Sequence, residues 1–238
     1  MKVDLLAFGA HPDDVEMCCS GTLAAHRAMG HPAGIVDFTR GESGTRGNSV
    51  TRMAEARQAA KILGLAFRDN LGMKDGFLAN TEASRLAVVK KIRQYRPSIV
   101  LANALQDRHP DHSVAARIVA DACFLAGLPK VKSSLGGKVQ KAWRPHLVLH
   151  YIQDRYIKPD VVCDISGFME IRSRCIAAYK SQFFDSRSKE PETPISSEQF
   201  QKALYFRPLE LGRMVGVQFA EGFNSERQIG VANLFELK

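Results

Sequence analysis

Tryptophan occurs once in the 238-residue chain and tyrosine five times. No apolar run approaches the roughly 18 residues that a bilayer span requires, so no membrane partner is expected. Cysteine is present five times, an odd number, without a C-x-x-C pair. That removes a zinc ribbon, a redox motif and a closed disulfide framework, and leaves buried thiols. No G-x-x-x-x-G-K-[ST] string occurs, and the turn Gly41-Glu42-Ser43-Gly44, which could cradle phosphate, carries an acidic residue that would repel it. The start Met1-Lys2-Val3-Asp4 shows no signal-peptide pattern, so a cytoplasmic location is expected. Acidic residues are outnumbered 25 to 33, for a formal charge of +8. The basic residues are scattered rather than gathered in a tail or on one helix face, and no nucleic-acid partner is expected. Their densest stretch, Lys130 to Lys141, reads as a solvated loop.

What is present is an alternation of two hydrophobic periods. Short apolar runs predict strands over 3–8, 34–39, 65–70, 98–103, 146–152 and 161–165. Between and after them, helical patterns cover 14–29, 50–63, 82–95, 112–126, 167–180 and 198–214. Such alternation predicts an α/β fold, a Rossmann-like, mostly parallel sheet with helices on both faces. Residues 1–238 read as one domain without a linker. The polar segment from Asp185, with two prolines, reads as a surface loop ending in a helix N-cap at Ser196 or Ser197. Trp143 and the stretch from Gly212 to Gly222 read as core and turn material.

Two similar strings punctuate this pattern, His11-Pro12-Asp13-Asp14 and His109-Pro110-Asp111-His112, each after a predicted strand and before a helix. Loops at the carboxyl ends of parallel strands share one crevice, so both strings can face one ligand. His11 and Asp14, three apart at a helix start, can converge with His112 from the second string. Three protein donors with an open position are the pattern of a catalytic metal. Asp13 then stands where it can take a proton from water, and His109 can face the opposite side of the reacting centre. Asp111 either hydrogen-bonds one of the imidazoles, His109 or His112, or serves as a plain helix cap. A metal-dependent hydrolase is the reading these roles support.

The string Ala10-His11-Pro12-Asp13-Asp14-Val15-Glu16, the Ser20-Gly21-Thr22 turn and Asp107-Arg108-His109-Pro110-Asp111-His112 resemble the LmbE-like, N-acetylglucosaminyl-phosphatidylinositol deacetylase superfamily. The resemblance extends through Phe38 to Glu42, Ala178 to Phe183 and Gly216 to Phe223, and within the superfamily it is strongest to the deacetylases of bacillithiol biosynthesis. It implies hydrolysis of the acetamide of an N-acetylglucosamine conjugate, specifically N-acetyl-α-D-glucosaminyl L-malate, with deacetylation of another N-acetylglucosamine conjugate or cleavage of an amide of a thiol conjugate as the alternatives, and a non-catalytic sugar-binding protein as the alternative from a different class. It also implies Zn²⁺, with Fe²⁺ suited to the same donors, and a homo-oligomer, hexamers being common among relatives. Position by position, it makes His11, Asp14 and His112 the metal ligands, Asp13 the general base and His109 the second catalytic group, protonated to stabilise the oxyanion. Arg52 matches an arginine that contacts substrate, and Glu42 matches an acidic residue of the sugar pocket. Arg46, Arg52 and Arg108 are the candidates for malate carboxylates, since a guanidinium binds a carboxylate bidentately; Arg46 alternatively reads as a solvated loop side chain. The pair Cys18-Cys19 departs from a glycine-richer pattern, and no role is transferred to Gln199-Phe200.

Overall fold

The computed structural model describes residues 1–237. Its centre is a seven-stranded sheet. The strands are β1 (Leu5–Gly9), β2 (Ala33–Asp37), β3 (Phe67–Asn70), β4 (Ile99–Ala102), β7 (Leu147–Tyr151), β8 (Val161–Asp164) and β9 (Ala220–Asn224), in the spatial order β3-β2-β1-β4-β7-β9-β8. The first five pair in parallel, with Leu5 opposite both Ala33 and Ile99, and Ile99 opposite Leu147. β9 runs antiparallel to both β7 and β8. A short hairpin of β5 (Ser134–Leu135) and β6 (Lys138–Val139) lies apart from the sheet.

Alternation along β1 supplies the two faces. Leu6 and Phe8 point into one core, and Leu5 and Ala7 into the other. Helices α3 (Glu82–Tyr95) and α4 (Pro110–Ala126) pack together and close the first core. Helices α1 (Asp14–Ala28), α2 (Ser49–Leu63) and α5 (Met169–Ala177) close the opposite face, while α6 (Glu198–Met214) packs on β9. The mostly parallel α/β architecture with helices on both faces is therefore as the periodicity predicts. Because the chain runs outward from β1 to β2 and β3 and then crosses back to place β4 on the other edge of β1, a crevice opens at the carboxyl ends of β1 and β4. Both histidine strings follow those two strands.

Differences from the sequence reading have local causes. The helix expected at 112 begins at Pro110, since proline suits the first helical turn and His109 Nδ1 caps it by accepting from the Asp111 amide at 3.2 Å. The helix expected over 167–180 is shorter, a 3₁₀ turn at Ser166–Phe168 followed by Met169–Ala177. Residues Ala220–Gly222, read as turn material, belong to a buried strand that the glycine-rich surroundings obscured. The basic loop near Ser134 contains an exposed hairpin. Ser197 caps α6 by accepting from Phe200 N at 3.2 Å, and Cys19, Cys123 and Cys175 are buried thiols. Among the described residues no helix is long and apolar enough to cross a membrane.

Candidate active site

The crevice is built from the backbone outward. Ala10 N donates to Asn103 Oδ1 at 2.9 Å, which ties the end of β1 to the end of β4. The chain then turns through His11 and Pro12 into Asp13, whose φ of +117° is unusual for any residue with a side chain. This turn places the Asp14 carboxylate under His11: Asp14 Oδ2 accepts from the His11 amide at 2.9 Å and from Asn103 Nδ2 at 3.0 Å. Gln153 Nε2 donates to Asp14 Oδ1 at 3.2 Å. Three strand ends thus fix one carboxylate.

His112, in the first turn of α4, reaches the same point. Its Nε2 lies 3.3 Å from His11 Nδ1 and 3.2 Å from Asp14 Oδ1, while His11 Nδ1 is 3.6 Å from Asp14 Oδ2. Donors about 2.0–2.1 Å from a tetrahedral zinc stand about 3.3 Å apart along each edge. The two ring nitrogens stand at that spacing with a different Asp14 oxygen turned to each, and these three side chains are the set expected from the sequence. Two other groups also converge: His11, His109 and His112 offer ring nitrogens within 4.8 Å of one another, and so do donor atoms of His11, Asp75 and Asp111. Of the three sets, only His11, Asp14 and His112 combine two imidazoles with one carboxylate.

That support includes residues the sequence reading passed over. Asp107 Oδ2 lies 2.5 Å from His112 Nδ1, and Asp107 Oδ1 accepts from Arg155 N at 2.8 Å. The carboxylate on His112 is therefore Asp107, in place of the expected Asp111. Asp111 accepts from the Gly76 and Leu78 amides and stands 3.4 Å from His11 Nε2. Its place at the second residue of α4 turns it toward the β3–α3 loop. Burial alone would lower the His112 imidazole, but Asp14 and the bond to Asp107 push it up to about 9. Asp14, despite burial that acts in the opposite sense, is held well below the usual carboxylate range by His112 and His11.

Asp13 sits beside this set, buried, with Oδ2 accepting from Arg52 Nη2 at 2.6 Å. The same nitrogen donates to the Pro12 carbonyl. Burial pushes the Asp13 carboxyl up to about 7 against the opposing pull of Arg52. Arg52 itself is packed against Gly41, where φ is +66° and a Cβ would lie 2.6 Å from the Arg52 Cζ. The left-handed backbone favours glycine there, and a Cβ would displace the guanidinium. The structure thus places Arg52 on Asp13 and the Pro12 carbonyl, rather than out in the crevice.

The softer expectations divide. Arg46 is not a solvated loop side chain: it is 5% exposed, with Nε on Glu190 at 3.1 Å and Nη2 on Ser188 Oγ at 2.6 Å. Its guanidinium anchors the segment around 183–190 and is not available to a malate carboxylate. Arg108 is half-exposed and paired with Asp154 at 2.8 Å. Glu42 is exposed, and its two oxygens accept from the Asp75 and Arg40 amides, both at 3.0 Å. His109 stands edge-on to His11, ring centroids 4.4 Å apart. Burial, and then the neighbouring imidazoles, lower it from its ordinary value, so in the free site it is held neutral rather than protonated. Phe200 lines an apolar pocket that adjoins His112 and Asp107, together with Met17, Cys18 and Leu204.

Beneath the turn lies a buried charge cluster. Arg68 grips Asp37 with two bonds of 2.8 and 2.9 Å and donates to Glu16, which also accepts from Tyr179 Oη at 3.0 Å. Glu16 and Tyr179 both fall in strings that carry the resemblance, but their meeting across 163 positions gives no local signal.

The GlcNAc-PI de-N-acetylase family model matches residues 6–123. The diacetylchitobiose deacetylase of Thermococcus kodakarensis is 29% identical over 232 residues, covering 92% of this chain and 81% of that protein. YaiS of Escherichia coli, described as an uncharacterized deacetylase, is 32% identical over 148 residues, 58% of this chain and 75% of that protein. Among solved structures, the conserved protein TT1542 from Thermus thermophilus superposes with a TM-score of 0.85 at 35% identity, covering 98% of each chain. The chain belongs to the GlcNAc-PI de-N-acetylase (PIG-L, LmbE-like) family of metal-dependent deacetylases.

Proposed function

We propose that this chain, acting as a single domain and as a homo-oligomer, is a zinc-dependent N-deacetylase. Its substrate in this reading is an N-acetylglucosamine conjugate, with N-acetyl-α-D-glucosaminyl L-malate as the specific one. The observation that carries the proposal is the inward-facing triangle of His11 Nδ1, Asp14 and His112 Nε2, with edges of 3.2–3.6 Å, beside a buried, unliganded Asp13. Two imidazole nitrogens and a carboxylate suit zinc and leave a coordination position open. When bound, the ion supplies Lewis acidity that makes water nucleophilic at neutral pH.

The remaining work falls to side chains of the chain. Asp13, held by Arg52, accepts the proton of the attacking water at its carboxylate. His109, across the ring of His11, faces the carbonyl oxygen and takes up charge as the tetrahedral state forms. The amine then departs with a proton from Asp13 or His109, giving acetate and a free glucosamine conjugate. Of the three arginines expected to bind malate, only Arg108 retains an exposed guanidinium, 43% exposed. Malate recognition therefore falls to it. A second reading, hydrolysis of N,N'-diacetylchitobiose, is favoured by the near full-length similarity to the Thermococcus enzyme.

The test is release of free amine by the zinc-loaded protein from the malate conjugate, from diacetylchitobiose and from N-acetylglucosamine, with Asp13→Ala alongside. Release from the malate conjugate above the others, lost in Asp13→Ala, is expected. Preference for diacetylchitobiose would move the assignment to the second reading, and binding of a sugar with no release from any would return it to a non-catalytic protein. The oligomer is checked by sedimentation.

A further inference from the structure

The β3–α3 loop, residues 71–81, enters the site without a role in the sequence reading. Asp111 holds it from below: Oδ2 accepts from Gly76 N at 2.8 Å and Oδ1 from Leu78 N at 3.1 Å, so both oxygens are engaged. Asp75, buried at 4% exposure, is fixed from the other side. Its Oδ2 accepts from Ser43 N at 2.8 Å, and its amide donates to Glu42 Oε1 at 3.0 Å. That leaves Asp75 Oδ1 facing His11 Nε2 at 3.0 Å, nearer than Asp111 Oδ2 at 3.4 Å. His11 Nε2 is buried and has no aligned hydrogen bond. A buried ring N–H left unpaired is costly, and Asp75 Oδ1, which has no other hydrogen bond, is the nearer of the two carboxylate oxygens beside it.

The second imidazole shows the same arrangement completed. His112 carries Asp107 on Nδ1 at 2.5 Å and turns Nε2 inward. A neutral imidazole has one N–H, and whichever nitrogen donates it leaves the other as the lone pair. For His11 the inward nitrogen is Nδ1, so the proton belongs on Nε2.

The geometry points to Asp75 as a positioning residue: by accepting the His11 Nε2–H it holds the ring in the tautomer whose Nδ1 lone pair faces Asp14 and His112. Glu42 and Asp111 act one step further out, by clamping the loop that carries Asp75. This inference rests on the reading of His11, Asp14 and His112 as the metal-binding set. It gives Glu42 a structural duty distinct from contact with a sugar.

The experiment measures zinc affinity of the full chain by competition with a chromophoric chelator, for wild type, Asp75→Ala and Asp75→Asn. Loss of an outer carboxylate costs about 10–100-fold in metal affinity; that loss is expected for Asp75→Ala, with Asp75→Asn, which keeps a carbonyl acceptor, between it and wild type. Nitrogen-15 spectra of the histidine rings supply the readout a merely structural role would not move. The zinc-loaded wild type should show His11 protonated at Nε2, and Asp75→Ala should lose that single signature. Circular dichroism of the metal-free variants establishes folding; if Asp75→Ala does not fold, Asp75→Asn carries the comparison. Unchanged affinity and an unchanged ring spectrum would overturn the inference, as would unchanged affinity with lost turnover, which would place Asp75 on the substrate. Failure of the wild type to bind zinc would instead overturn the metal reading beneath it.

Discussion

Replacing Gly41 by alanine should injure the site through Arg52, and the size of the effect follows from the geometry. At φ +66° the left-handed backbone alone costs an L-residue about 1–2 kcal/mol. The new Cβ would lie 2.6 Å from Arg52 Cζ and 2.9 Å from Nε, so the guanidinium must withdraw. Withdrawal breaks the 2.6 Å contact with Asp13, whose carboxylate is 3% exposed. Separating one partner from a buried pair costs about 3–5 kcal/mol. The loss should therefore exceed the backbone penalty and approach that of Arg52→Ala, at about 2–4 °C of melting temperature per kcal/mol for a chain of this size. Thermal melts of Gly41→Ala, Arg52→Ala and the double variant form the assay. In the double variant the steric part disappears, so the effects should fall short of additivity by about 0.5–3 kcal/mol. Strict additivity would refute the coupling and leave Gly41 a matter of backbone alone.

Asp13→Asn should lower kcat by about 10²–10⁴-fold, the usual range for a general base, with bound zinc unchanged by elemental analysis. Stripping the metal with a chelator should abolish amine release, and an ion held only by the folded chain should return about 2.7 kcal/mol of stability at a hundredfold excess over Kd, read by urea unfolding. His150 is buried with its imidazole lowered by desolvation. In the unfolded chain it titrates near the ordinary value of about 6.5, so the unfolded state binds the extra proton first. Its contribution to stability is present above about pH 6.5 and lost as pH falls toward the folded value, and His150→Gln should flatten that part of the urea-midpoint profile. Arg172→Ala strands Glu221 without the cation that its Oε1 meets at 3.0 Å and should cost about 3–5 kcal/mol in the same unfolding assay.

The sequence made visible what is local or repeated. The strand–helix alternation defined the parallel half of the sheet because buried strands are continuous apolar runs. The two His-Pro-Asp strings marked the crevice because each sits where a strand gives way to a helix. Asp75 and Gln153 were illegible, since each stands on a loop whose approach to His11 or Asp14 depends on the packing of several strands. Asp107 lies five residues before His112 and could have been found from that spacing. β9 was missed because Ala-Glu-Gly-Phe-Asn lacks the β-branched residues that announce a strand; burial between two neighbours makes it one. Arg46 misled in the opposite sense, as a charged residue in a glycine-rich loop gives no hint of the partners at 188 and 190 that bury it.

Glu221 gives β9 a further meaning. Helix α1 breaks regularity at Cys19, with φ −147°, and just beyond the break the amides of Gly21 and Thr22 donate to Glu221 at 3.0 and 2.7 Å. The helix that begins at Asp14 is thus completed by a side chain 200 positions later. During synthesis, the histidine strings and the first four strands leave the ribosome long before the carboxylate that mends this helix. A nascent chain must wait for the last of its described strands before the floor of its crevice becomes rigid, and contacts of such separation slow folding. Chains interrupted before β9 would present an unfinished α1, with bare amides, to the chaperones and proteases that survey nascent proteins.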